Sequence, residues 1–168
     1  MILRNTHALP RAWLVGEAVS VDSPEALRRI RGESPADFDP RKTALLETRP
    51  DELPKLPGGP LASESTTKLL YYEPARLAIE THAQTTSMLI VSEMFYPGWR
   101  ARVDGQPAQI QVADYLLRAV SLPAGDHRVE MYYTAPAART GAIISVLALC
   151  LLIALVIRAL RTSLLEKS

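Results

Sequence analysis

Between Thr86 and Thr134 the chain alternates short apolar runs with turn residues, at spacings of roughly 8 to 12 residues. This rhythm predicts an antiparallel meander. Ser87–Phe95 (SMLIVSEMF) comes first, Tyr96-Pro97-Gly98 turns the chain, and Trp99–Val103 (WRARV) alternates apolar and basic side chains. Asp104-Gly105 is a dipeptide suited to a type I′ hairpin turn, whose two central residues both need positive φ. Gln109–Val112 follows, then a corner at Ala113-Asp114, then Tyr115–Leu122. Pro123-Ala124-Gly125-Asp126 supplies a further turn, because proline presets φ and glycine tolerates the left-handed region. His127–Tyr133 then alternates again.

Upstream, Lys68–Tyr72 and Arg76–His82 read as a strand pair bent at Glu73-Pro74. Arg11–Val21 reads as one strand. Ser23-Pro24-Glu25 opens a short helix through Arg31, with proline in its first turn, and Gly32 ends it. The stretch from Phe38 to Glu47 returns as a strand, while residues 49–65, rich in proline, read as a surface loop or linker. The expected fold is mostly β: an antiparallel, two-layer β-sandwich-like head with one short helix.

The last part of the chain follows a different pattern. From Thr140 to Ile157 there is no charged residue, and GAIISVLALCLLIALVI is almost wholly apolar. A bilayer core of about 30 Å needs about 17 to 25 such residues, so a single C-terminal transmembrane helix is expected over 138–160. A core helix of a globular domain would carry a polar face, and this run has none. Arg139 flanks it on one side, Arg158 and Arg161 on the other, and Tyr132 and Tyr133 lie where amphipathic rings favour headgroups. Arg158, Arg161 and Lys167 mark the tail, 161–168, as cytoplasmic, which puts the head, 1–137, outside; Arg128 and Arg139 pull against that orientation.

Composition narrows the function. A net charge of +1 gives no electrostatic footprint for nucleic acid, which is excluded as a partner. Cys150, the one cysteine, lies inside the apolar run and cannot close an intrachain disulfide. The 13 prolines, concentrated in the first half, argue against long helices there.

Candidate chemistry is sparse. Glu93, Arg100 and Arg102 read as a solvated strand face, and Asp104 as a turn residue. His7, His82 and His127 are far apart and lack metal-ligand spacing, so no metal site and no cofactor are expected. No serine sits in a nucleophile elbow. Asp37 and Asp39 flank Phe38 ahead of Pro40, where aspartate satisfies backbone donors rather than forming a carboxylate pair. Pro57-Gly58-Gly59-Pro60 lacks the basic residue and helix of a phosphate loop. No catalytic residue is assigned. Tyr96, Trp99 and Arg100 stand as glycan-contact candidates, although for Trp99 packing at the end of the core outweighs sugar contact.

Three stretches carry a resemblance: ALPRAW at Ala8–Trp13, DFDPRKTALLE at Asp37–Glu47, and Ser92–Tyr133, in which YPGW-x-A-x-VDG is followed by LRAV-x-LPAG-x-H. The sequence resembles the C-terminal end of bacterial multi-pass membrane proteins of the YfhO type, which look like glycosyltransferases using lipid-linked sugars. The resemblance implies an extracytoplasmic β-rich domain ahead of the last membrane helix of a protein in the bacterial cytoplasmic membrane. The family's acidic residues near its first helices have no counterpart here, so no catalytic role carries over. The chain reads as a C-terminal fragment, a truncated product or a stand-alone head. The expected function is that of a non-catalytic, membrane-anchored domain of a YfhO-like protein of cell-envelope glycosylation. Its expected partners are the lipid bilayer, the polytopic helices of a glycosyltransferase, and a glycan or lipid-linked sugar. The alternative is a stand-alone glycan-binding or protein-interaction module anchored in the membrane.

Overall fold

The computed structural model describes residues 8–165 and, within the C-terminal helix, the side chains of 138, 140–155, 157 and 158. His7 and Lys167 lie outside the described residues. The chain divides into two units, Met1–Tyr133 and Thr134–Ser168.

The first unit is built on two sheets. The larger contains β1 (Ala12–Val15), β2 (Glu17–Ser20), β3 (Thr43–Leu46), β6 (Ser87–Met94), β9 (Gln111–Ala113) and β10 (Leu117–Leu122). The smaller contains β4 (Thr66–Glu73), β5 (Arg76–Ala83), β7 (Trp99–Val103), β8 (Gln106–Ala108) and β11 (Gly125–Tyr133). Their strand orders are β1-β6-β10-β9-β3-β2 and β4-β5-β11-β7-β8. All pairings are antiparallel except β2 with β3, which is parallel, so the wholly antiparallel expectation is corrected at that edge. The meander is as its turns demand: Asp104 and Gly105 take φ of 50° and 81° between β7 and β8, and Gly125 takes 124° at the start of β11.

The apolar run of β6 does not alternate because both its faces are covered. Leu89 and Val91 join Leu77, Ile79, Val120, Val129 and Met131 in the core between the sheets. Met88 and Ile90 join Trp13, Val15, Ala44, Leu46 and Ala119 in a second core enclosed by the larger sheet.

That second core exists because the larger sheet rolls up. β1 and β2 are separated in sequence by Gly16 alone, yet they lie at opposite ends of the strand order. A flat six-stranded sheet would hold its edges about 24 Å apart, whereas two residues reach only about 7 Å. Arg11–Val21 is therefore two strands rather than one. Gly16 hands the chain across a seam from Val15, paired with Met88, to Glu17, paired with Thr43.

Residues 49–65 are not a free linker. Pro50–Glu52 forms a single 3-10 turn, Leu53 and Leu56 pack on the second core, and Gly58 N donates to Gly16 O at 3.1 Å. The expected strand Gln109–Val112 is also corrected: β8 ends at Ala108 on the edge of the smaller sheet, and β9 begins at Gln111 inside the larger one, between β10 and β3.

Helix α1 (Ser23–Ile30) starts where Asp22 caps it, its carboxylate accepting from Glu25 N at 2.8 Å, with Pro24 in the first turn. Gly32, at φ 70°, follows its end. Glu25 accepts from Arg28, Arg29 and Ser34, and Arg29 first among them holds its carboxyl down at about 2.

The second unit is α2 (Pro136–Leu165), longer than the span expected from hydropathy. Every described side chain on it is exposed. Among the described residues no helix is long and apolar enough to cross a membrane.

The seam gives a direct test. A Cβ on Gly16 would sit 2.6 Å from the Gly59 carbonyl oxygen, a backbone atom with little room to give, and 3.0 Å from Leu61 Cδ2. Gly16→Ala is expected to cost about 1–3 kcal/mol in chemical denaturation, as other overpacked sites do. Gly105→Ala, with open space around it, would meet no clash and would cost only the strain of an alanine at φ of 81°.

Candidate functional site

Chemistry-bearing side chains gather where β6, β10, β4 and β7 end together. Tyr96-Pro97-Gly98-Trp99 is a tight turn in which Trp99 N donates to Tyr96 O at 3.3 Å and Gly98 takes φ of 114°. Proline at the second position and a positive-φ glycine at the third are what a type II turn requires. The turn delivers Trp99 to the start of β7, opposite Tyr133 of β11. The Trp99 and Tyr133 ring centroids lie 5.8 Å apart, and those of Tyr96 and Tyr133 6.3 Å apart.

Behind the rings is a buried cation. Arg118 alternates with Val120 and Leu122 on the face of β10 that meets the smaller sheet, and it is 2% exposed. Its guanidinium lies 3.7 Å from the Trp99 ring centroid, and Nη2 is 3.6 Å from Glu93 Oε2. Its Nε and Nη1 are buried without hydrogen-bond partners. Burial pulls its pKa down, opposed by Glu93 and Tyr72, but an arginine stays protonated in proteins. Glu93 accepts from Arg11 Nη1 at 2.7 Å and from the Tyr72 hydroxyl, whose own pKa that bond raises. Arg11 in turn lies over the Tyr72 ring at 4.8 Å. The result is a cation–aromatic plug closing one end of the core between the sheets.

The expected trio separates on this geometry. Tyr96 is 60% exposed. Trp99 is half-buried, packed against the core, with one face under Arg118. Arg100 is exposed and donates to the Trp99 carbonyl at 3.1 Å. Tyr133, read from sequence only as a headgroup anchor, is the ring that joins Tyr96 to Trp99. Glu93 is not on a solvated face; it is the acceptor that organises the plug. Arg118 was missed, although a lone charge inside the apolar run YLLRAVSL was a signal for it.

Polar groups also close the opposite end. His127 Nδ1 lies 2.7 Å from Asp104 Oδ2, and Arg128 N donates to Asp104 Oδ1 at 2.8 Å. The Arg128 amide, more than His127, holds the Asp104 carboxyl below its usual range. His82 Nδ1 and Asp126 Oδ1 are also 2.7 Å apart. These groups line an open cavity of about 510 Å³ with Thr66, Lys68 and Glu80. Among the described residues no cluster of His, Cys, Asp and Glu is arranged to hold a metal. Asp37 and Asp39 bond to the Phe38 and Arg41 amides, which is turn chemistry.

Asp114 stands apart. It follows β9 with φ of 48°, its N–H donates to Leu45 O at 2.8 Å, and its Oδ1 accepts from Leu45 N at 2.9 Å. Oδ2 is buried without a partner, and desolvation pushes the carboxyl up to about 6.

The architecture defines a β-rich head followed by an apolar helix. A family model described as bacterial membrane protein YfhO matches residues 61–145, from before β4 through β11 and into α2. The chain belongs to this family of bacterial membrane proteins. Two of the three resembling stretches, 8–13 and 37–47, lie outside the matched residues. Comparison with curated proteins and with solved structures gives no match.

Trp99→Ala would empty a wedge between Arg118, Tyr133 and the core and should cost about 3 kcal/mol or more in chemical denaturation. Tyr96→Ala, at an exposed site, should stay within about 0.5 kcal/mol of the native chain. For Asp114, a folded pKa above the unfolded 3.8 means its favourable contribution is complete below that value and lost as pH rises towards about 6. Asparagine keeps the Leu45 bond, tolerates positive φ and carries no charge. Asp114→Asn should therefore gain about 2–3 kcal/mol above pH 6 and flatten the pH dependence between 4 and 6 in melts across that range.

Proposed function

We propose that this chain is the non-catalytic, extracytoplasmic β domain of a YfhO-like, glycosyltransferase-type membrane protein of the bacterial envelope, with α2 as its membrane anchor. The observation that carries this reading is the continuous family match across the smaller sheet, β6, β9, β10 and the beginning of α2. Anchoring is supported by the charge-free run from Thr140 to Ile157 and by large apolar side chains, such as Leu147 and Leu151, that α2 leaves exposed. In water such an apolar surface would be an aggregation liability, whereas in lipid it is solvated.

The head supports a binding rather than a catalytic role. Its best-ordered chemistry is a buried cation–aromatic plug. Tyr96 and the neighbouring Tyr133 are the rings through which it would touch a sugar, and exposed Arg100 sits one residue beyond Trp99 as a hydrogen-bond donor to its hydroxyls. The exposure of Tyr96 also favours a second reading, a stand-alone glycan-binding module.

Topology is tested by phosphatase fusions in bacterial cells: activity is expected for fusions after Tyr133 and none for fusions after Leu165. The reverse pattern, or activity at both points, would sink the anchor and orientation. Function is tested by deleting the segment equivalent to Ser92–Tyr133 from an intact relative. Loss of sugar transfer with membrane insertion preserved is expected, and an unchanged rate would exclude an accessory role. In glycan retention assays Tyr96→Ala should weaken binding while leaving the melting temperature in place.

A further inference from the structure

The outer face of the smaller sheet carries positive charge that the fold leaves unused. On β5, β11 and β7, Leu77, Met131 and Ala101 point into the inter-sheet core, so the alternate positions Arg76, Tyr132, Arg100 and Arg102 stand on the opposite face. Tyr132 is paired with Arg76 on one side and with Arg100 on the other. The guanidinium of Arg102, two residues further along β7, lies over the Tyr132 ring, 5.4 Å from its centroid. Three arginines thus surround one tyrosine.

All three are exposed, and among the described residues none of them is in an ion pair. The nearest acids do not cancel them. Glu130, opposite Arg102 in the register, is taken by Arg128 at 2.9 Å, and Glu73, opposite Arg76, offsets one charge of the three. Arg100 gives one N–H to the Trp99 carbonyl and keeps its other donors free.

The position of the cluster in the chain says what would meet it. Tyr132 and Tyr133 close β11, and only Thr134 and Ala135 separate them from Pro136, the first residue of α2. Three Cα steps reach about 11 Å at most, a limit set by chain length alone. That is close to the Debye length of about 10 Å at 0.1 M salt, the range over which an anionic lipid surface attracts basic groups. Asp126, at the far end of the same strand face, is about 20 Å further off along β11.

We propose that Arg76, Arg100 and Arg102, gathered round Tyr132, bind the phosphates of anionic phospholipid headgroups around α2. Guanidinium forks match phosphate oxygens, and tyrosine favours the headgroup region. This rests on the reading of α2 as a membrane anchor and is separate from sugar contact at Tyr96. Because Arg100 also borders Tyr96, Arg76 and Arg102 carry the test.

The full chain is placed in nanodiscs of phosphatidylcholine alone or mixed with phosphatidylglycerol, each with a trace of headgroup-spin-labelled lipid. Nuclear magnetic resonance compares broadening of the Ala101 and Tyr132 amides with that of Gly105 and Asp126. Stronger broadening of the first pair in the anionic discs is expected, falling to the neutral-disc level at high salt. Arg76→Gln combined with Arg102→Gln, both at exposed positions, should leave the melting temperature in place. The pair should lower the docked-to-free ratio about 25-fold, fivefold for each arginine, and remove the anionic effect. Lys68→Gln, the same loss of charge beside Glu80 and about 13 Å further along the face, should leave that effect intact. Equal broadening in both kinds of disc, or an anionic effect that survives the double variant, would overturn the proposal and leave the anchor standing. A chain that enters neither kind of disc would overturn both. Saturable shifts of Ala101 and Tyr132 by inorganic phosphate in neutral discs, with no effect of lipid charge, would give the arginines to a soluble anion and overturn the lipid assignment.

Discussion

Everything in the head hangs on one strand buried on both faces. Met88, Leu89, Ile90 and Val91 of β6 are all fully buried, and successive side chains serve different cores. A fully buried side chain of this size is worth about 1.5–3 kcal/mol relative to an exposed one. β6 thus binds the smaller sheet on one side and the rolled interior of the larger sheet on the other. A register slip of one residue would exchange the two sets, putting Leu89 and Val91 where Met88 and Ile90 now fit. The partners β1 and β10 fix that register from both edges, so the two cores stand or fall together.

Because β6 cannot be exposed, the ends of its inter-sheet core must be closed by something else, and the chain uses polar groups at both. At one end Arg118 is flattened against Trp99 and balanced by Glu93, with two of its donors unsatisfied. At the other His127 leans on Asp104. The Arg118–Glu93 pair does not stabilise as an apolar plug of the same volume would, since a buried ion pair returns little beyond its desolvation cost. What such groups supply is geometry. The guanidinium fixes the Trp99 ring, Trp99 abuts Tyr133, and Tyr133 carries Tyr96, so an exposed ring inherits its position from a buried charge.

Local signals were legible in the sequence where a residue's neighbours in the chain decide its conformation. Asp104-Gly105, Tyr96-Pro97-Gly98, Pro24 at the start of α1 and the alternation of WRARV each act over a few residues, and each appears as its chemistry requires, although the cap is Asp22, one residue ahead of the expected opening at Ser23. Features set by distant partners were not. Nothing in RAWLVGEAVSV says that Val15 and Glu17 belong to opposite edges of one sheet, because only closure of the roll separates them. Pro57-Gly58-Gly59-Pro60 looked like linker for a related reason: its glycines serve a backbone approach to Gly16, about forty residues earlier in the chain. Glu93 looked solvated because alternation counts neighbours along a strand and not the Arg11 and Tyr72 that converge on it. Of the candidate site, the turn and its rings could be read in advance, but the cation beneath them could not.

The two cores on β6 set how large the working unit is. The family match, 61–145, contains the whole smaller sheet together with β6, β9 and β10. It does not contain β1 or β3, yet Ala12 lies in the inter-sheet core and Trp13, Val15, Ala44 and Leu46 complete the second one. Without them, Met88 and Ile90 would face water and both outer flanks of the β6–β10–β9 block would become open edges, a template for pairing with other chains. Asp114 would lose the Leu45 amide that holds it. The matched segment is therefore a piece of sequence and not a folding unit. The smallest part that can bury its own core runs from β1 to β11, and any role assigned to Tyr96 belongs to that larger body.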